Sequence, residues 1–565
     1  MESIQNASPT FKNLDNRRRI NNNVFNFNRA CEETKSERAA ARMTGIPRST
    51  AQYHARRQRQ CDLDNAVMEF FQSSPGMAFL NQLVLAIEFV LSQSGRSGLR
   101  LIQRLYELSK LDRLVACSLG VLSERIKQIE TNMVAYGEKQ EAQLVETMDT
   151  DKSITCCLDE TFPSGICLVG IEPVSNFILL EEMAAKRDTV TWAEAMDKRL
   201  ANFPVTVIQV TSDEARALIK YTEQHLDAHH SPDLFHIQQE VSKASAAPLR
   251  SKVKKAHTAA DKTASVLETL KNRRAAYESQ EPKPVGRPLD YAGRQIEAEV
   301  GHEVATQEVE GAELRRDAIR EANKALGEIY HPFDMETGRK RAPTQLRREL
   351  NKKFDLIETT LEGAQLSANS LKRVGKARRM TDPMVDTLRF FWTMVHSRMK
   401  SLALGKALGK VFVGTLLPAA YIEIHIARAG TVDLRIQRAG SLARLYEKLG
   451  KNRFWRSLTD DRKIELKKVA TECAQIFQRS SSNVEGRNGQ LSLHHHIYKN
   501  MSKRKLGACT VIHNYFIQRQ DGTTAAERFF GRAPEPLFEH LLAITDFPAA
   551  PAKKRSVVRK LNAAA

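Results

Sequence analysis

The sequence predicts a multidomain, mostly α-helical chain holding one small α/β core of order β-β-β-α-β-α-β, interrupted by a large all-helical insertion. Three observations predict it: apolar residues recur at helical spacing over most of the 565 residues; the period becomes strand-like between Ser153 and Ile237; and strand signals nearly vanish again from Gln238 to Gln478. A chain of this length has material for roughly three or four domains. The formal net charge of +19 beside an apolar share of 42% points to folded basic domains, with nucleic acid as the favoured partner. A generally basic soluble protein is the plain alternative.

The eight cysteines form no C-x-x-C pair and no regular spacing, which excludes a zinc knuckle and a disulfide framework and fits a reducing cytoplasm. The two most apolar stretches are "MAFLNQLVLAIEFVL" (77–91) and "VFVGTLLPAAYIEI" (411–424). The first carries Asn81, Gln82 and Glu88, and the second is short and holds Pro418, so both read as buried helices and no membrane partner is expected. The amino terminus has arginines without a following apolar run, so no secretory signal is expected.

Residues 1–30, rich in Asn and Arg, read as a basic flexible arm. Residues 31–60 follow helix-turn-helix grammar in "TKSERAAARMTGIPRSTAQYHARRQRQ": Ser36 caps one helix, Gly45 breaks the chain, and Pro47 opens a second helix. That second helix would turn Arg48, Ser49, Gln52, Tyr53 and Arg56 outward, a set suited to base edges and phosphates in a major groove. A small helical hairpin explains the same pattern without DNA. Residues 61–150 continue at helical spacing, divided by turn signals at Ser94 to Gly98 and near Gly120, and read as a helical DNA-binding or assembly domain.

The α/β core opens at residues 151–240. Three β runs, "SITCCLD", "GICLVGIEP" and "NFILLEEM", lie between tight turns and predict an antiparallel meander. A helix "TWAEAMDKRLANF", a strand "VTVIQVTSD", a helix "EARALIKYTEQHL" and a short strand "DLFHI" (233–237) complete the order. Residues 241–478 form the helical insertion, whose early charged part predicts an extended helical pair with a solvated face. Within it "EPKPVGRPLD" reads as a linker, although Gly286-Arg287-Pro288 is also the centre of a minor-groove hook. Residues 479–545 supply the last helices of the core, and 546–565 a basic disordered tail.

The β run at 154–158 ends on Asp159 and Glu160, and the fourth strand ends on Asp213. The order of elements is that of a ribonuclease-H-like fold, in which the first and fourth strands are neighbours, so Asp159 and Asp213 would meet at one sheet edge. Two carboxylates about 4 Å apart repel by roughly 4 kcal/mol at an effective dielectric of 20. Such a conflict is relieved by protonation or by a cation, and Mg2+ or Mn2+ takes carboxylate and water oxygens. A third acid is available in "SSSNVEGRNGQLSL", where Glu485 sits in the first turn of a helix opened by serines, a position that ordinary capping also explains.

With "LDET", "VTSDEA", "SPDLFHIQQE" and "SNVEGRNG" in place, the chain resembles a DDE-type transposase of a bacterial insertion sequence. Its ending "HNYFIQRQDGTTAAERFFGR" (513–532) is similar to the ends of such proteins. The resemblance implies two divalent ions, Mg2+ or Mn2+, with Asp159 bridging both, Asp213 on one and Glu485 on the other, and with Glu160 and Glu214 as bystanders or supporting groups. It implies cleavage and strand transfer of double-stranded DNA by a homodimer or larger assembly, in the bacterial cytoplasm at the nucleoid. His236 either approaches the site or is a core histidine, and Arg487 either meets a DNA phosphate or steadies Glu485. His494, His495 and His496 start nine residues beyond Glu485, about 13 Å along a helix, and are poorly placed for the same ions. Two alternatives stay open: a catalytically inactive, domesticated relative that binds specific DNA, and another ribonuclease-H-like nuclease or integrase.

Overall fold

The computed structural model describes residues 12–59, 63–95, 97–148, 151–162, 165–282, 285–287, 289–498 and 501–551. The first eleven residues of the expected arm, Pro288 and residues 552–565 of the expected basic tail lie outside them; the tail's first residues are packed rather than disordered, with Phe547 buried and the Ala549 carbonyl accepting the Ala116 amide at 2.7 Å.

The remainder of the arm is a helix, α1 (Lys12–Thr34). The reason lies in Val24, Phe27 and Ala30, which recur at three-residue steps beneath the Asn and Arg side chains; Phe27 and Ala30 close on Ala40, Ile46 and Ala51. Ala40 belongs to α2 (Glu37–Thr44) and Ala51 to α3 (Arg48–Arg59). Ser36 Oγ accepts the Ala39 amide at 3.4 Å, and Gly45 ends α2 at φ +68, where a side chain would have room but not the backbone preference. The helix-turn-helix spacing expected from the sequence is thus present, with α1 as the third member of its core.

Four helices follow: α4 (Asn65–Gln72), α5 (Ser74–Phe89), α6 (Leu99–Leu108) and α7 (Leu119–Val145). Leu80 and Val84 of α5 pack with Ile102 and Tyr106 of α6 and with Leu122 of α7, while Phe89 joins Ile129, Met133 and Tyr136 under the sheet. Buried Glu88 is satisfied by Arg125 Nε, 2.9 Å from each carboxylate oxygen, and by the Tyr106 hydroxyl at 3.1 Å. Leu80, Val84, Ile102, Tyr106 and Leu122 thus bury a core of their own, while Phe89, Ile129, Met133 and Tyr136 join that of the sheet.

The sheet contains β1 (Lys152–Thr161), β2 (Ile166–Glu172), β3 (Phe177–Ala184), β4 (Val205–Ser212) and β5 (His229–Pro232), in the order β3-β2-β1-β4-β5. β1, β2 and β3 pair antiparallel, whereas β4 lies parallel to both β1 and β5. Crossovers run through α8 (Thr189–Leu200) and through α9 (Arg216–Lys220) with the π-turn that follows it. "DLFHI" is not the last strand. Asp233 caps a helix there, accepting the Phe235 amide at 2.9 Å, and Leu234 and Ile237 are buried at helical spacing. The strand is the preceding "HHSP", which has no apolar alternation and is fixed by main-chain pairing to β4.

The insertion begins with α10 (Leu234–Ser279) and α11 (Tyr291–Ile329), the expected helical pair, clasped by Gln238 and Asn323, whose side-chain amides donate to each other's carbonyls at 2.7 and 3.0 Å. It continues through α12 (Pro343–Gly363), α13 (Ala368–Arg378), α14 (Thr381–Ser401), α15 (Lys406–Val411), α16 (Leu417–Ile426), α17 (Val432–Lys451), α18 (Arg453–Arg456) and α19 (Asp460–Ile476). These bury one core that includes Phe354, Phe391, Leu417 and Leu466. By length and composition Ser74–Ser94 and Lys406–Ile426 could each cross a bilayer. Here Leu80 and Val84 of the first, and Phe412, Leu416 and Ile422 of the second, are buried in protein.

The chain returns to the sheet with α20 (Ser482–Tyr498), α21 (Lys503–Tyr515), α22 (Ala525–Phe530) and α23 (Leu537–Ile544). Val484 and Leu491 of α20 cover Cys157 and Val169, while α21 supplies Ala508 and Ile512 to the opposite core beside Ile154 and Leu158. Alternation along β1 divides its side chains between those two layers.

Candidate active site

Register decides the site. Cys157 of β1 stands beside Thr211 of β4, so two residues further on Asp159 comes level with Asp213, at the same ends of parallel strands. Asp159 projects from the Cys157 side of the sheet, which α20 covers. It is 8% exposed; its Oδ1 accepts the Glu160 amide at 2.8 Å and its Oδ2 accepts Asn488 Nδ2 at 2.8 Å. Burial raises its pKa to about 7 against the Glu160 amide, and the negative charges of Glu485 and Asp213 add to the rise. Asp213, half-buried, accepts the Ala215 amide at 3.0 Å.

Glu485 reaches this edge across the whole insertion because the segment before α20 is bound to the strand ends. Gln209 Nε2 donates to the Gln478 carbonyl at 3.0 Å, the Leu234 amide to the Arg479 carbonyl at 3.0 Å, and the Ser481 amide to Asp233 Oδ1 at 3.2 Å. Asp233 is buried and also holds His236 Nδ1 at 2.7 Å, and the other ring nitrogen stands 3.7 Å from Glu485 Oε1. Donation from Nδ1 to Asp233, against the cost of burial, lifts the His236 pKa to about 9, with the charges of Asp233, Asp159 and Asp213 acting in the same sense. His236 is therefore a cation at neutral pH, set among acids. Although burial works against it, the hydrogen bonds from His236 and Ser481 keep the Asp233 carboxyl below its ordinary range.

Asn488 and Asp233 are the site residues that sequence reasoning missed. Asn488 lies three residues beyond Glu485 in "EGRNG", on the same helix face, and its buried Oδ1 has no hydrogen-bond partner. Glu160 alternates to the other side, where Trp192 Nε1 donates to it at 3.1 Å and Arg187 lies 3.9 Å away, and Glu214 faces Lys376 at 3.8 Å. Neither points with Asp159.

Arg487 does not face solvent. It is buried and forked onto Glu181 of β3 through Nε and Nη2, both at 2.6 Å, while Thr510 Oγ1 donates to the same carboxylate at 2.6 Å. The arginine therefore pins α20 to the sheet and offers nothing to a DNA phosphate. The side chains of His494, His495 and His496 lie outside the described ones. On α3, Ser49, Tyr53 and Arg56 are exposed as expected, and Arg48 and Gln52 are exposed but tied to Glu37 at 2.6 and 2.7 Å.

Among the described residues no group of three His, Cys, Asp or Glu side chains is drawn close enough to hold a metal ion as it stands. The donor chemistry nevertheless fits a hard divalent cation: three carboxylates and the unpartnered Asn488 Oδ1 are all oxygens at one edge. Among known proteins, a family described as one of unknown function (DUF6399) matches residues 412–557, the stretch that carries Glu485, Arg487 and Asn488. No curated protein and no solved structure matches the chain.

Proposed function

We propose that the five-stranded sheet is a ribonuclease-H-like core and that the chain is a DNA transposase, cleaving and joining strands at the ends of a mobile element. One observation carries this reading: Asp159 and Asp213 stand at the same ends of the parallel strands β1 and β4, and α20, which carries Glu485, is bound to that edge through the Asn488 hydrogen bond to Asp159 at 2.8 Å. Support comes from the strand order, in which β1 and β4 are parallel neighbours, and from α20 lying across the strand that carries Asp159.

In this reading Asp159, Asp213, Glu485 and Asn488 Oδ1 would hold the two divalent ions, which when bound activate water and stabilise the charge that builds on a phosphodiester. The protein's own groups do the rest. Asn488 fixes the rotamer of Asp159 by donating to Oδ2, leaving its remaining lone pairs directed into the site. His236, charged and braced by Asp233, balances part of the negative charge in the absence of cations and holds Glu485 near the strand ends. The exposed face of α3 supplies Ser49, Tyr53 and Arg56 to duplex DNA, and the net charge of +19 favours a polyanionic partner.

Nicking of a supercoiled plasmid carrying the element's ends, dependent on Mg2+ or Mn2+ and lost in Asp159→Asn, is the test. A wild-type protein that binds this DNA but nicks none of it under either metal overturns the reading. The competing reading, a DNA binder without chemistry, draws on the absence of a closed metal-holding trio among the described residues, and the same assay decides between them.

A further inference from the structure

A polar cavity of about 250 Å³ opens at the junction where the insertion meets α20. Arg428, Arg438 and Arg479 line it together with Ser480, Ser482 and Asn483, and the one carboxylate in its wall is Glu328. Arg438 is buried; its Nη2 pairs with Glu328 at 2.9 Å and its Nη1 donates to the His425 carbonyl at 3.0 Å, but its Nε has no partner. Arg479 Nη1 donates to the carbonyls of Gly327 and Tyr330 and makes no ion pair among the described residues. Exposed Arg428 makes no ion pair or hydrogen bond among the described residues.

Three guanidiniums facing one carboxylate leave an excess of positive charge in a concave wall, which is costly unless an anion enters. Burial, with the charges of Arg479, Arg428 and Arg438, holds the wall residue His425 down at about 3, so the positive field is felt by a neutral neighbour. The cavity also takes in Ser482 and Asn483 in the N-terminal turn of α20, a helix of 17 residues whose dipole favours negative charge there. The exposed guanidinium of Arg428, set beside Arg438 and Arg479 at the start of α20, supplies donors of the kind that a tetrahedral oxyanion requires.

We propose that this cavity is a phosphate site and that it takes one backbone phosphate of a DNA strand running past the acid edge. The cavity alone carries the phosphate chemistry; the strand as its source rests on the reading given under Proposed function. Position favours the strand: Ser482 is three residues from Glu485, about 4.5 Å of helix rise, so a phosphate held here sits one turn below the acid. The occupant would anchor a strand without being the bond that is cut.

The experiment uses the full chain, wild type and Arg428→Ala, with Arg428→Lys as the conservative variant. Inorganic phosphate is titrated against thermal unfolding at constant ionic strength with chloride as the control, and a short duplex of mixed sequence is titrated by fluorescence anisotropy from 50 to 200 mM salt. The expected result is a phosphate-specific rise in the melting temperature of wild type that Arg428→Ala loses and Arg428→Lys partly keeps, together with a salt slope for DNA smaller by about one in Arg428→Ala. No phosphate-specific rise, or a rise that survives in Arg428→Ala, overturns the site. A phosphate response lost in Arg428→Ala without any change in the DNA slope overturns the strand as its source and assigns the cavity to a free phosphorylated molecule. Because no arm depends on catalysis, a protein that fails to nick DNA but shows both responses refutes the transposase reading alone.

Discussion

Asn488 donates a 2.8 Å hydrogen bond to Asp159 Oδ2 across 329 residues of chain, and this contact ties α20 to the end of β1. The amide thereby stabilises the charged form of a carboxylate that burial drives the other way.

Removing that donor should be felt in the titration of Asp159. Asn488→Leu is expected to move the Asp159 pKa upward from about 7, read by NMR on carboxyl-labelled protein, and to shift the alkaline-rising limb of any nicking profile in the same direction. An unchanged titration would show that the bond does not form in solution. The cost in stability is about 1 to 3 kcal/mol, the range for a charged hydrogen bond.

Arg487 gives a contrast between burial and exposure. Arg487→Ala leaves Glu181 buried beside Thr510 without its cation and should lower stability by about 3 to 5 kcal/mol in urea unfolding. Arg56→Ala, on the exposed face of α3, should leave the urea midpoint unchanged and weaken DNA binding instead. Equal midpoints for Arg487→Ala and wild type would contradict the buried fork.

Glu37 restrains α3. Its carboxylate occupies Arg48 and Gln52, so Glu37→Gln should free a cation on α3, tighten non-specific duplex binding and steepen the salt dependence by about one unit of slope. Anisotropy titrations at several salt concentrations measure it; a slope equal to that of wild type would mean α3 does not meet phosphates.

Acid should unfold the protein through its buried histidines. Burial holds His229 and His513 at about 4 and His425 at about 3, and places His331 well below its ordinary value. Below pH 6.5 the unfolded chain protonates these rings while the folded chain does not, so the unfolded state binds more protons and stability falls as pH falls through the window from about 6.5 to 4. Each ring contributes a slope of up to about 1.4 kcal/mol per pH unit. Urea unfolding at pH 7, 6 and 5 checks it, and a midpoint independent of pH over that range would exclude buried neutral histidines.

Much of this architecture was legible in local pattern. The period change at Ser153, the break at Gly45 after a Ser36 cap, and the poorly anchored helical pair that became α10 and α11 all depend on residues close in sequence, where propensity and periodicity act. Local pattern failed where longer-range partners win. The helix over residues 12–34 is held by Phe27 and Ala30 meeting α2 and α3, and "HHSP" is a strand because β4 offers it a ladder. Arg487 looked like a surface cation because its partner, Glu181, is more than three hundred residues away.

By itself the sequence determined the mostly helical class, the basic charge and the order of strands and helices that build the sheet. Only the tertiary structure decided that α20 lies on β1, that Asn488 and His236 join the acids, and that Arg487 turns inward. The physical reason is that helices and strands are specified by neighbours a few residues apart, whereas a carboxylate's burial, charge state and partners are set by whichever groups the packed chain brings within a few ångströms of it.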